Sequence, residues 1–257
     1  MIRQRSTTLT LAVTCTPLVI GVGFACQDTG TWSVHDMNRP QPAVVTPGAP
    51  ACADQPGTAP SDAIVLFDGR NLDAWRTGGG AAAWTVQDGI ARVKGGDIHT
   101  RADFGDCQLH LEWRVPPGFK GEGQGGGNSG VFFNDKYEIQ ILNGYENTTY
   151  ADGSGGSFYG QHPPLVNPCR PVGEWNSYDI IYTSPRWNPD GSLASPGRAT
   201  LIFNGVVVQN NQAFTGTTVH GDTTEYGAPH GPGPIRIQDH TDPLEFRNIW
   251  IRPLGGA

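Results

Sequence analysis

Three short segments alternate apolar residues with residues that ionise or hydrogen-bond: Leu109-His110-Leu111-Glu112-Trp113-Arg114-Val115, Tyr137-Glu138-Ile139-Gln140-Ile141 and Ile235-Arg236-Ile237-Gln238-Asp239-His240. Glu112, Glu138 and His240 supply groups that can move protons. Arg114, Gln140 and Gln238, with Asn128 from the run Gly125-Gly126-Gly127-Asn128-Ser129-Gly130, supply planar multi-donor groups that match sugar hydroxyls. His110 belongs to the same polar stripe as Glu112. Lysine, the expected occupant of an ordinary solvated strand face, is absent from all three segments. A structural reading, in which each stripe is simply the wet side of a sheet, stands beside the chemical one.

Such stripes do chemistry only if strands position them. Strict period-two alternation sends one parity to a core and the other outward, so Ile139 and Ile141 are expected inside and Glu138 and Gln140 outside. Trp84 to Gln87 and Ile90 to Val93 flank Asp88-Gly89, and Leu201 to Phe203 and Val206 to Val208 flank Asn204-Gly205. Both dipeptides favour the positive φ of two-residue hairpin turns. Further strands are predicted at 108–115, 130–134, 137–142, 178–183, 235–238 and 246–252. With 36 Gly and 21 Pro among 257 residues, helical bundles are excluded, and an all-β sandwich of two antiparallel sheets is predicted. The polar stretches 116–128, 143–173 and 214–234 are long enough to wall a cleft. Tyr159, in the second, could stack on a pyranose. Arg247 shares parity with Ile249 and Ile251 and is expected in an ion pair at the core's edge, while Glu174 and Trp175 read as a sheet-edge anchor.

Residues 1–26 read as an export signal, with Arg3 and Arg5 ahead of an apolar stretch ending Gly23-Phe24-Ala25-Cys26. That ending resembles a bacterial lipoprotein processing site, so lipidation and plain cleavage both remain open. The mature chain is expected outside the cytoplasm, in a periplasm or at a cell surface, touching membrane only through such an anchor. Residues 27–61, with six prolines between 40 and 60, read as a tether, and 62–257 as the folded domain. Of the cysteines that remain, Cys107 and Cys169 are the preferred disulfide pair, and nothing beside them marks a catalytic thiol. A net charge of −7 without basic blocks argues against nucleic acid as a partner.

Six motifs then carry a resemblance: Leu66-Phe67-Asp68-Gly69, Leu111-Glu112-Trp113-Arg114, Gly127-Asn128-Ser129-Gly130, Tyr137-Glu138-Ile139-Gln140, Gly173-Glu174-Trp175-Asn176 and Phe246-Arg247-Asn248-Ile249. In this order they resemble the 3-keto-disaccharide hydrolase family. The resemblance implies a concanavalin A-like jelly roll and a role in handling sugars oxidised at C3. The chain is also similar to laminarinase-like enzymes, but their Glu-x-Asp-x-x-Glu strand corresponds here to Glu138, Gln140 and Asn143. Amides cannot replace the two carboxyl groups, about 5 Å apart, of a retaining glycosidase.

A 3-keto sugar opens another route, because the carbonyl acidifies the C2 proton and the C1 oxygen can leave by elimination. Glu138 or His240 is the expected base and Glu112 the acid or a metal ligand. Arg114, Asn128, Gln140 and Gln238 would orient substrate and enolate, with His110 and Tyr159 as further contacts. His110, Glu112, Glu138 and His240 would also serve a divalent cation if their strands converge, although no short-spaced metal motif occurs. No dinucleotide or flavin motif is present, so a separate oxidase or dehydrogenase must supply the keto sugar. The competing class is a non-catalytic carbohydrate-binding domain on a tether.

Overall fold

The computed structural model describes residues 43–255; the export signal with Cys26, and residues 27–42 of the expected tether, lie outside the described residues. Both hairpin dipeptides form the turns expected of them, with φ of 54° and 77° at Asp88 and Gly89 and 50° and 80° at Asn204 and Gly205. These values suit type I′ turns, whose twist matches the flanking strands.

Eight strands make the larger sheet: β1 (Ile64–Phe67), β3 (Thr85–Gln87), β4 (Ile90–Arg92), β6 (Cys107–Arg114), β9 (Asn176–Thr183), β12 (Arg198–Phe203), β13 (Val206–Ala213) and β17 (Glu245–Pro253). Five make the smaller one: β2 (Trp75–Arg76), β5 (Ile98–Thr100), β7 (Asn128–Phe133), β8 (Tyr137–Leu142) and β16 (Arg236–Ile237). Two ribbons, β10 (Arg186–Trp187) with β11 (Leu193–Ser195) and β14 (Thr218–Val219) with β15 (Asp222–Thr223), stand apart. The strands pair antiparallel throughout. The molecule is the all-β, two-sheet jelly-roll sandwich of concanavalin A-like proteins.

Alternation sets the core. Leu109, Leu111 and Trp113 of β6 and Tyr178, Ile180 and Tyr182 of β9 share one buried cluster with Val131 and Phe133 of β7, Ile139 and Ile141 of β8, and Ile237 of β16. Each aliphatic or aromatic side chain so buried contributes about 1.5–3 kcal/mol. The polar parity of β6 and β9 therefore emerges on one outer side of the sandwich, and that of β7, β8 and β16 on the other.

Three expectations need correction here. Residues 43–61 are not a free tether: Thr58 N–H bonds the Ala49 carbonyl and Ser61 N–H the Thr46 carbonyl, each at 3.0 Å, folding a strap. The strap lies on the larger sheet, where the buried Gly57 N–H donates to Glu112 Oε1 at 2.8 Å. Unsatisfied carboxylates recruit such N–H groups even from a Pro-rich segment. Secondly, Cys107 and Cys169 are free thiols. Arg170, next to Cys169, bonds Asn176, which pairs with Trp113 at the far end of β6; six residues of strand, about 20 Å, separate that point from Cys107. Burial raises both thiols, Cys169 to about 11, so neither is a ready nucleophile. Thirdly, Arg247 forms the ion pair expected of it, with Glu112 at 2.6 Å, but does not keep the parity of Ile249 and Ile251. The β6–β17 register shifts between Arg247 and Trp250, with Asn248 at φ 46°, and this bulge turns Arg247 outward to Glu112.

Candidate active site

The smaller sheet carries a polar cleft of about 260 Å³ on its outer face. In one row across its strands, Glu138 lies opposite Phe132, and Phe132 opposite Arg236. In the next row Gln140 lies opposite Gly130, whose carbonyl accepts the Gln238 N–H at 3.0 Å. Asn128, Tyr159, Thr218, His220 and His240 complete the lining. Two of the long loops thus serve as walls, one bringing Tyr159 and the other, through β14–β15, Thr218 and His220.

Glu138 is the buried carboxylate of the cleft, 5% exposed. Burial pushes its carboxyl up to about 8; Arg236 opposes that shift and Asp97 adds to it. Room for this side chain exists because Gly130 has no Cβ: one built there would stand 2.2 Å from Glu138 Oε1. Turned so that its nitrogen faces acceptors, the Gln140 amide donates to Glu138 Oε1 at 3.2 Å and to the Ser129 carbonyl at 2.9 Å. Arg236 stacks 3.5 Å over the Phe132 ring and bonds Asp97 at 2.7 Å and Asp135 at 2.5 Å. These bonds fix the one guanidinium of the lining beside Glu138. Asn128 is set by its own N–H, which donates to Asp242 Oδ2 at 2.7 Å, and by its amide, which donates to the Gln124 carbonyl at 2.9 Å.

A second polar chain runs along the rim. The Tyr150 and Tyr159 hydroxyls are 2.7 Å apart, and the Tyr159 hydroxyl lies 2.9 Å from His220 Nδ1. Burial, then the bond with Tyr150, raises the Tyr159 phenol, so it stays a proton-bearing donor at neutral pH. His240 is exposed at the cleft mouth, beyond β16, which ends at Ile237, within the strand predicted at 235–238.

The structure thus brings together Glu138, His240, Asn128, Gln140, Gln238 and Tyr159. It does not bring Glu112, His110 or Arg114 to them. Those three lie on β6, in the other sheet, and face the opposite exterior. Glu112 is 1% exposed and accepts from Gly57 N–H, Arg247 Nε at 2.6 Å and Asn248 Nδ2 at 2.7 Å. Arg114 bonds Glu245 at 2.7 Å, and its guanidinium and that of Arg247 cover the Trp175 ring at 4.6 and 4.2 Å. Trp175 is buried just before β9, an interior strand of the larger sheet, while its neighbour Glu174 is exposed, so the pair does not anchor a sheet edge. Alternation tells which side of its own sheet a residue occupies but not which sheet that is, and the merged stripe came from this ambiguity. The four-residue cation site falls with it: among the described residues no group of three or more His, Cys, Asp or Glu is arranged to hold a metal ion.

Sequence reasoning missed His220 and Thr218 because the stretch 214–234 has no long alternation. Their signal was short: Thr217-Thr218-Val219 and Asp222-Thr223-Thr224 flank His220-Gly221, and Gly221 adopts φ 72° in the β14–β15 turn.

The family model described as the 3-keto-alpha-glucoside-1,2-lyase-like domain matches residues 62–252. A curated relative, the 3-keto-disaccharide hydrolase of Bacteroides thetaiotaomicron, is 23% identical over 254 residues, covering 74% of this chain and 78% of the relative. A crystal structure of a candidate glycosyl hydrolase from Parabacteroides distasonis is 48% identical with a TM-score of 0.81, covering 86% of this chain and 95% of that one. A second protein of that kind from the same organism, at 21% identity and a TM-score of 0.53, covers 75% of this chain and 94% of its own and shares the fold.

Proposed function

The chain belongs to the 3-keto-alpha-glucoside-1,2-lyase-like domain family, and on that premise we propose that it cleaves 3-keto-glycosides by elimination followed by hydration. The observation that carries this reading is a single buried carboxylate, Glu138, raised to about 8 in a cleft with one guanidinium and three amides. A lone raised carboxylate suits proton abstraction from carbon and does not suit double displacement, which needs a carboxyl pair.

In the proposed sequence, Glu138 takes the C2 proton and the electron pair becomes an enolate on the C3 oxygen. Arg236, Gln238 and Asn128 supply the donors that charge requires. The enolate collapses to form the C1–C2 double bond while the C1–oxygen bond breaks. Tyr159, backed by His220, or His240 gives the departing oxygen its proton, the task that Glu112 is placed too far away to perform. Water then adds across the enone, hydroxyl to C1 and proton to C2, for a net hydrolysis. Oxidation states balance without a redox cofactor, and an upstream sugar oxidase or dehydrogenase provides the substrate. The N-terminal segment supports export and anchoring at the cell envelope.

Turnover of a 3-keto-glucoside in D₂O tests the mechanism. Elimination and hydration leave one solvent deuterium at C2 of the released 3-keto sugar, and direct displacement leaves the original hydrogen. Saturable binding with neither product nor exchange would instead make this a carbohydrate-binding domain.

A further inference from the structure

The stripe that the cleft does not use borders a second cavity of about 380 Å³, between the strap and the outer face of the larger sheet. Its roof is Gly48 to Ala51 with Thr58 and Pro60; its floor carries Gln108, His110, Ser177, Asp179 and Trp250, with Arg170 at the side. Register explains the grouping. His110 on β6 lies opposite Asp179 on β9, and Trp250 on β17 opposite His110. The His110 ring stacks on Trp250 with centroids 5.1 Å apart and planes 11° apart, and its Nδ1 lies 2.7 Å from Asp179 Oδ1.

Among the described residues, two polar atoms of this floor are buried without a hydrogen bond: His110 Nε2 and Trp250 Nε1. Their residues are 4% and 6% exposed. Glu112 Oε1 lies 3.5 Å from His110 Nε2, a charge contact that does not make a hydrogen bond. A buried orphan donor costs about 1–3 kcal/mol, so an occupant bringing acceptors is favoured. The occupant must also satisfy the Asp179 carboxylate, which bonds His110 through Oδ1 alone, and the Gln108 amide. An anion meets repulsion from Asp179, and a cation meets the imidazole and guanidinium. A neutral molecule with several hydroxyls, each both donor and acceptor, answers the whole set, and the volume lies within the range of small-ligand sites.

We propose that this strap-roofed cavity is a second, non-catalytic binding site for a neutral sugar, read by Asp179, Gln108, His110 and the Trp250 indole N–H. It is separate from the cleft, on the opposite exterior of the sandwich, and does not depend on the reaction assigned there.

The probe is trehalose, which is not oxidised at C3 and so is not turned over, titrated into the full ¹⁵N-labelled protein. The Trp250 indole N–H signal, assigned with Trp250→Phe, reports occupancy. A saturable shift in the wild type is expected, retained in Glu138→Gln, and weakened about tenfold in Asp179→Asn, as for loss of a charge-assisted hydrogen bond. Gln108→Ala, half-exposed on its strand, serves as a second variant should Asp179→Asn fail to fold, and the same weakening is expected. No saturable shift, a shift lost in Glu138→Gln but kept in Asp179→Asn or Gln108→Ala, or an equal response to inorganic phosphate would overturn the proposal.

Discussion

Glu112 and Glu138 are both buried glutamates at outward positions of alternating strands, one on each sheet, and they have met opposite fates. Burial would raise Glu112, but the His110 imidazole 3.5 Å away and the bonds it accepts from an amide, a backbone N–H and a guanidinium outweigh that and hold its carboxyl below the usual range. Glu138 has burial with few compensating donors, and its carboxyl rises to about 8. The difference lies in what the neighbouring strands and loops bring to each. β17 with its bulge and the strap deliver three donors to Glu112; the row beside Glu138 offers Phe132 and a Gly, and its one cation, Arg236, is shared with Asp97 and Asp135. A satisfied carboxylate stabilises structure. An unsatisfied one stores the free energy that makes it a base at neutral pH.

The sharpest way to break the comparison is the same substitution at both positions. Glu138→Gln is expected to lower kcat on a 3-keto-glucoside by about 10²–10⁴-fold, the range for losing a general base. Its fold should be kept, and above pH 8 its Tm should exceed the wild type's. The sign follows from linkage: the folded carboxyl binds a proton between 4.5 and about 8 that the unfolded one has lost, so Glu138 subtracts stability as pH rises through that window. Glu112→Gln should do the reverse, costing about 3 kcal/mol by stranding Arg247, with kcat per folded molecule nearly unchanged. Equal activity losses in the two variants would erase the distinction.

Next in size is pH. Below about 8 the rate of C2 exchange should climb nearly tenfold per unit and then level, because the ionised Glu138 is the working form. The strap face follows another profile. Burial alone would lower His110, but its bond to Asp179 and the Glu112 carboxylate 3.5 Å from its Nε2 together raise it to about 9. Its stabilisation is fully present below 6.5 and fades as pH rises through about 9. Glu112 contributes above 4.5 and fades as pH falls through its depressed value. Protection of the Gly57 amide, corrected for intrinsic exchange, should therefore be greatest between 4.5 and 6.5 and drop by pH 9.5 while the core strands stay protected.

How much of this was legible follows from the same two residues. The hairpins at Asp88-Gly89 and Asn204-Gly205, the strand at 137–142 and the outward aim of Glu138, Gln140, Arg236 and Gln238 were readable, because turn chemistry and parity are local. Assignment of Glu112 to the same cleft failed because sheet membership depends on long-range pairing. β6 lies between β9 and β17 in the larger sheet, whereas β8 belongs to the smaller one, and no spacing within 108–115 encodes that. The docking of the strap is hidden for a related reason: proline content reports missing N–H donors, whereas the strap docks through the Gly57 N–H to Glu112 and the Cys52 carbonyl to Arg247.

A smaller effect tests the cleft geometry with both carboxylates left in place. Gly130→Ala puts a methyl 2.2 Å from Glu138 Oε1 and 2.9 Å from the Phe132 ring edge. The carboxylate is the flexible end of its side chain and yields first, so the fold should survive with Tm lowered by only a few degrees. Base and substrate are then out of line, and misplacement near 1 Å costs about 10²-fold in rate. Because Glu138 swings toward water, its carboxyl should also fall from about 8 toward 4.5, and the residual rate should lose its pH dependence above pH 6. A slow variant that keeps the wild-type profile would mean that the methyl blocks substrate entry instead, and the glycine would then be a requirement of the ligand and not of the base.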